Sequence, residues 1–242
     1  MISRFLETAS SFAGDIDELV WLVTVLVGFW FIVAELVLFG LIFKFTAKEG
    51  SKGQFITGEN VREKRWVNWP HYLILVCDVF IIVAALRVWN DVKQASPPAD
   101  ETVRIVAQQW AWTFTHPGPD GKLDSPDDIR ILDELHVEVG KTYHFELAST
   151  DVLHSFSVPV FRLKQDAIPG RVVRGWFKPT MTGTFDIQCT EICGIGHALM
   201  PAQIFVETPA AHADWLRSRG ALASTTAPAP SASQTQTGEQ PR

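Results

Sequence analysis

Two long apolar runs dominate the first ninety residues. Leu19 to Phe43 is broken only by Thr24, Glu35 and two glycines, and Tyr72 to Trp89 only by Asp78 and Arg87. As helices, runs of 25 and 18 residues cross a hydrocarbon core of about 30 Å, the first with some tilt. The first is too long for a signal-peptide core, and no small-residue cleavage site follows it. The pattern therefore predicts a transmembrane hairpin with spans at 19–43 and 72–89, inside an N-terminal segment covering 1–95.

Beyond Ser96-Pro-Pro-Ala-Asp-Glu101, which reads as a linker, the pattern becomes strand-like. Thr102 to Thr115, Ile129 to Val139, Thr142 to Ala148, Val172 to Phe177 and Gly183 to Ile187 are rich in Val, Ile, Phe and Trp, and Gly, Pro and Asp clusters separate them. Many short strands over about 110 residues predict an all-β Greek-key sandwich at 96–209. Pro117 to Asp128 is expected as a surface excursion between two strands, and Ala202 to Thr208 as the last strand. Ala210 to Arg219 reads as a few helical turns. Ala221 to Arg242, made of Ala, Ser, Thr, Pro and Gln, is expected to be disordered, closing a tail at 210–242.

Charge orients the hairpin. Residues 44–70 carry Lys44, Lys48, Lys52, Arg62, Lys64 and Arg65 against three glutamates, whereas Asp15, Asp17 and Glu18 precede the first run. The positive-inside rule places that connection in the cytoplasm and both termini outside, making the chain a multi-pass protein of a bacterial inner membrane with a periplasmic sandwich. Glu35 and Asp78 then lie at similar depth, roughly 12 Å from the cytoplasmic end. Intramembrane acids of this kind either pair with a partner subunit or mark a proton route. The chain's formal net charge of −6 disfavours a nucleic-acid partner. With three cysteines, one of them Cys77 in an apolar run, a disulfide framework is not expected. The isolated Gly194-Ile195-Gly196 is too little for a nucleotide loop.

The chemistry concentrates in Cys189-Thr-Glu-Ile-Cys-Gly-Ile-Gly-His-Ala-Leu-Met200, with His154 upstream. Sulfur with imidazole selects copper over hard cations. One cysteine, two histidines and a weak methionine would make a mononuclear blue-copper site, but here a second cysteine lies four residues away. Two thiolates so placed suggest a bridged pair of metal ions, with His154 and His197 terminal and Met200 weak. A Cys189–Cys193 disulfide and a Cys2His2 zinc site remain open alternatives. The disulfide leaves His197 and Met200 without purpose, and zinc has no use for Met200.

The motif His154 … Cys189-x3-Cys193-x3-His197-x2-Met200 resembles the dinuclear CuA motif of the cytochrome c oxidase subunit II family. The resemblance extends over roughly residues 15–220 and is dense at 149–156, at Asp166-Ala-Ile-Pro-Gly-Arg171 and at 188–194. It implies a cupredoxin-like sandwich behind two transmembrane helices. Cys189 and Cys193 would bridge two coppers, His154 and His197 terminate them, and Met200 and the Glu191 carbonyl ligate weakly. The Glu191 side chain would hold a magnesium or manganese ion shared with oxidase subunit I, where nitrous oxide reductases carry tryptophan. Asp166 and Arg171 match residues near that interface. Gln109-Trp110-Ala111-Trp112 resembles the family's tryptophan-rich segment, and the expectation is an exposed Trp112 taking electrons from cytochrome c, soluble or membrane-tethered. Gln108 and Ala111 depart from the histidine and tyrosine of many relatives. Glu63, in a Glu-x2-Trp-x3-Pro pattern at the start of the second helix, matches a residue at the mouth of a proton channel of subunit I. Subunits I and III are the implied partners, with oxygen reduction and coupled proton translocation lying outside this chain. Between Asp100 and Glu207, fifteen acids face nine bases, a net of −6 that suits a basic electron carrier. A copper-delivery protein and a copper-free quinol-oxidase homologue are the competing classes; a ligand loop pinned by a sandwich argues against the first, the complete ligand set against the second.

Overall fold

The computed structural model describes residues 7–50, 52–53 and 56–226, with side chains through Arg219. The described residues divide into two compact units, the first built on 7–98 with 159–163, the second on 99–158 with 164–226.

The first unit is two long helices. α1 runs Ala13–Phe45 and α2 runs Val61–Trp89, continued by one wider turn at Asn90–Gln94. Both are long and apolar enough to cross a membrane, and their large side chains, among them Leu36, Phe43 and Phe80, face outward. Trp30 Nε1 lies 3.4 Å from Cys77 Sγ, tying α1 to α2. α2 begins earlier than the apolar run suggests because polar residues start it. The Asn60 side chain accepts from Arg62 N at 3.0 Å, and Glu63 Oε2 accepts from Gly58 N at 3.1 Å. Pro70, expected near the helix start, is therefore inside it.

The second unit is a β-sandwich of cupredoxin-like architecture. Its strands are β1 (Glu101–Gln108), β2 (Ala111–His116), β3 (Ile129–Leu132), β4 (Glu134–Glu138), β5 (Tyr143–Ser149), β6 (His154–Val158), β7 (Leu163–Ala167), β8 (Val173–Phe177), β9 (Gly183–Cys189) and β10 (Ala202–Glu207). They form two five-stranded sheets, ordered β3-β2-β1-β5-β8 and β4-β10-β9-β6-β7. β1 pairs with β5, and β4 with β10, in parallel. Such pairings need crossovers, the mark of a Greek key rather than a meander.

The single expected strands 102–115 and 129–139 are each broken in two. The first breaks at Gln109–Trp110. The second breaks at Asp133, whose φ of 57° is left-handed and whose Oδ1 accepts from Trp112 N at 2.8 Å. β6 and β7 were not legible as strands. β6 is buried at all five positions and so shows no alternation. Aromatic side chains fill the core around Phe156, whose ring centroid is 5.7 Å from Trp112, 6.3 Å from Phe114 and 6.1 Å from Phe145. The first two of these pairs are edge-on, a geometry that adds about 0.5–1.5 kcal/mol each beyond burial. A final helix, α3, spans Pro209–Thr226 and packs on β3, β4 and β10. Its backbone thus enters the stretch expected to be disordered, and residues 227–242 lie outside the described residues.

Candidate metal centre

Strand register brings the ligands together. β6 and β9 are antiparallel neighbours with Phe156 opposite Cys189, so His154 at the start of β6 meets Cys189 at the end of β9. Thr190 N donates to Ser155 O at 3.1 Å and continues the pairing past the strand end. The loop 190–201 then turns back into β10, with a left-handed Gly194 (φ 123°) and a single 3-10 turn at His197–Leu199.

The two sulfurs, Cys189 Sγ and Cys193 Sγ, lie 3.8 Å apart, well beyond the length of an S–S bond, and are not joined as a disulfide in this structure. Each has its own imidazole. His154 Nδ1 is 3.9 Å from Cys189 Sγ, and His197 Nδ1 is 3.6 Å from Cys193 Sγ. Met200 Sδ lies 3.4 Å from Cys193 Sγ, and the Glu191 carbonyl oxygen 3.3 Å from Cys189 Sγ. The six donors sort into two sets around a thiol pair: His154 and the Glu191 carbonyl beside Cys189, His197 and Met200 beside Cys193. That division suits two soft metal ions better than one tetrahedral zinc. His154, Cys193 and Met200 are buried, while Ile192, Ile195 and Leu199 of the same loop project outward, Ile195 at 95% exposure. Burial, then the neighbouring Cys189, pushes the Cys193 thiol up to about 11.

A second layer of contacts fixes the ligands. His154 Nε2 donates to Asp151 Oδ1 at 2.9 Å, which selects the tautomer whose Nδ1 lone pair faces Cys189. Asp151 Oδ2 accepts from Gln109 N at 2.6 Å, and Gln109 Nε2 donates to the Cys193 carbonyl at 2.8 Å. The turn between β1 and β2 is thereby strapped to both halves of the site.

One expectation is overturned. Trp112 is 0% exposed, with its indole N–H donating to Met200 O at 3.1 Å. It is a wall of the centre, not a surface aromatic. Of this pair, the exposed tryptophan is Trp110, at 38%. It lies across the glycines of the loop so closely that a Cβ on Gly196 would fall 2.3 Å from its Cδ2, and one on Gly194 3.2 Å from its Cζ2. Two residues apart in one strand would share a face; the break at 109–110 separates them. Gln109 and Asp151, quoted in the sequence only as part of motifs, are the functional residues that reading missed.

The other expected residues are dispersed. Glu191 has a partly exposed side chain, Asp166 lies on β7, Arg171 is in the exposed turn before β8, and Glu63 is in the first turn of α2. Several acids of the sandwich are occupied internally. Arg104 meets Asp124 at 2.6 Å and Glu146 at 3.1 Å, and Lys141 meets Glu138 at 2.8 Å. The free acidic surface is smaller than a residue count suggests.

A β-sandwich that gathers two thiols, two imidazoles and a thioether at one end, in a chain with two helices long enough to span a membrane, defines a copper-type electron-transfer protein of the cupredoxin class. Residues 119–208 match the family described as cytochrome c oxidase subunit II, periplasmic domain. The alternative cytochrome c oxidase subunit 2 of Bradyrhizobium diazoefficiens is 34% identical over 233 residues, covering 87% of this chain and 82% of that one. Cytochrome c oxidase subunit 2 of Cereibacter sphaeroides is 27% identical over 242 residues, covering 88% and 78%. The crystal structure of the periplasmic domain of subunit II of cytochrome oxidase from Bradyrhizobium japonicum has 31% sequence identity and a TM-score of 0.47, covering 52% of this chain and 98% of that one. The chain belongs to the cytochrome c oxidase subunit II family, with an electron-transfer role in a haem–copper oxidase.

Proposed function

We propose that this chain takes electrons from cytochrome c and delivers them to haem in oxidase subunit I, holding a dinuclear copper centre on the way. Cys189 and Cys193 would bridge the ions, His154 and His197 would be terminal ligands, and Met200 and the Glu191 carbonyl the weak ones. When bound, the copper pair supplies a one-electron site that is reversibly reduced and oxidised. The observation that carries the reading is the thiol pair 3.8 Å apart, with a separate imidazole beside each sulfur.

The chain's own residues do the remaining work. Asp151 keeps the Nδ1 lone pair of His154 turned inward, and Gln109 holds the Cys193 backbone in place. Trp112 fixes Met200 from the core side and keeps water away from the ligands. Trp110, exposed and lying against Gly194 and Gly196, is the aromatic at which an electron enters. Ile192, Ile195 and Leu199 give the loop an apolar rim for a docking partner, and the remaining surface acids steer a basic one.

Around this core stand the wider assignments. The chain is a multi-pass inner-membrane subunit with both termini periplasmic, following the basic residues of 44–70. It assembles with subunits I and III, Glu191 reaches a magnesium or manganese ion at the subunit I interface, and Glu63 lies at a proton-channel mouth. Oxygen is reduced to water in subunit I, coupled to proton translocation. Optical and EPR spectra of the copper-loaded full chain test the centre. A purple chromophore with hyperfine splitting shared over two nuclei is expected; a single blue copper, or no retained copper, overturns the reading.

A further inference from the structure

Away from the copper ligands, the sandwich buries a second group of imidazoles. His116 ends β2, His136 is the middle residue of β4, and His212 lies in the first turn of α3; all three are buried. Glu207, the last residue of β10, joins two of them, with Oε1 2.9 Å from His136 Nδ1 and Oε2 3.0 Å from His212 Nδ1. An ionised carboxylate only accepts, so both Nδ1 atoms donate to it. Trp215, one turn further along α3, closes over the group. Its ring stacks on His136 at 4.4 Å, meets His116 edge-on at 5.0 Å and lies 5.4 Å from His212. Phe205 stacks on His136 at 4.5 Å. Among the described residues, neither nitrogen of His116 has a hydrogen-bond partner, nor do His136 Nε2, His212 Nε2 or Trp215 Nε1.

A cation formed on His116, which has no hydrogen-bond partner among the described residues, would have little to offset its lost hydration. Burial, then the neighbouring His136 and His212, lowers His116 from 6.5 to about 3. Burial also lowers His212, against the opposing pull of Glu207. The other charges facing the group are few. Glu134 Oε2 lies 3.7 Å from His136 Nε2, and Glu138 and Lys141 act on His212 with opposite sign. Arg130 on β3 is exposed, and Asp214 and Arg217 on α3 pair with each other.

We propose that α3 is a proton-released latch, docked on the sandwich while His116 and His212 are neutral and freed when these imidazoles take up protons. Both hold a proton more weakly docked than exposed, so the docked state is fully favoured above about pH 6.5 and loses ground as pH falls below it. Below that point each imidazole shifts the equilibrium toward undocking by up to about tenfold per pH unit. Between pH 7.5 and 5, His116 alone contributes a shift of roughly thirtyfold.

Hydrogen exchange on the detergent-solubilised full chain from pH 7.5 to 5, with each rate divided by its intrinsic rate, tests the latch. Protection of residues 209–219 should fall by about tenfold or more at pH 5, while that of β5 stays constant. Equal protection of 209–219 across the range overturns the proposal. The double variant His116→Phe/His212→Gln should keep α3 protected at pH 5. Opening in that variant as in the unaltered chain also overturns it. Should the variant lack β5 protection at pH 7.5, and so fail to fold, the pH series of the unaltered chain decides alone.

Discussion

The indole N–H of Trp112 reaches the carbonyl of Met200 at 3.1 Å, from inside the core. The copper loop is therefore held from beneath by one tryptophan and covered from outside by another, Trp110, over its two glycines. The two rings have different tasks, and substitution should separate them.

Trp110→Phe is expected to slow electron entry from reduced cytochrome c by tenfold or more while leaving the copper spectrum intact. Trp112→Phe should do the opposite. It strands a buried carbonyl, costing about 1–3 kcal/mol, lowers the melting temperature and perturbs the spectrum. Stopped-flow rates alongside thermal melts decide the matter, and a reversed pattern returns electron entry to Trp112.

Gly196→Ala places a methyl 2.3 Å from Trp110 Cδ2. The ring or the loop has to shift, at about 1–3 kcal/mol. Both the melting temperature and the electron-entry rate should drop, with copper still bound. An unchanged rate would mean that contact between Trp110 and the loop is not part of the route.

Asp151→Asn removes the carboxylate that selects the His154 tautomer. Losses of about 10–100-fold in metal affinity are usual when such a supporting residue is changed. Competition with a copper chelator should register a loss of that order. Retention of full affinity would show that His154 is oriented by its strand alone.

Glu101 is pushed up to about 7, chiefly by burial, and its Oε1 has no hydrogen-bond partner among the described residues. Because the folded value exceeds the unfolded one near 4.5, the folded chain binds the proton more tightly. The cost of the charge is then absent below about pH 4.5 and fully present above pH 7. Glu101→Gln should therefore stabilise the sandwich at pH 8 by about 1–2 kcal/mol and change little at pH 4.5. Denaturant melts at the two values check it.

What the sequence made legible follows from how each element is buried. β5 alternates between buried and part-exposed positions along its length, so its period of two is plain. β6 has both faces covered and begins with His154-Ser-Phe-Ser, a string with no such period. The ligand set was readable because sulfur and imidazole at short spacing carry their chemistry with them. Trp110 and Trp112 were not distinguishable, because which of them faces water depends on a break in the strand that no residue type announces. Gln109 was hidden for a related reason: it acts through contacts with Cys193 and Asp151, 84 and 42 residues away.

The parallel pairing of β4 with β10 has a bearing on biogenesis. Glu134 is opposite Gln203, and β10 is the strand that separates β4 from β9 in its sheet. During synthesis this intervening strand emerges last of the ten, after His154, both thiols and Met200. A nascent chain ending before Ala202 carries every ligand and lacks the frame that fixes them. The arrangement of ligands described above therefore requires the chain through Glu207.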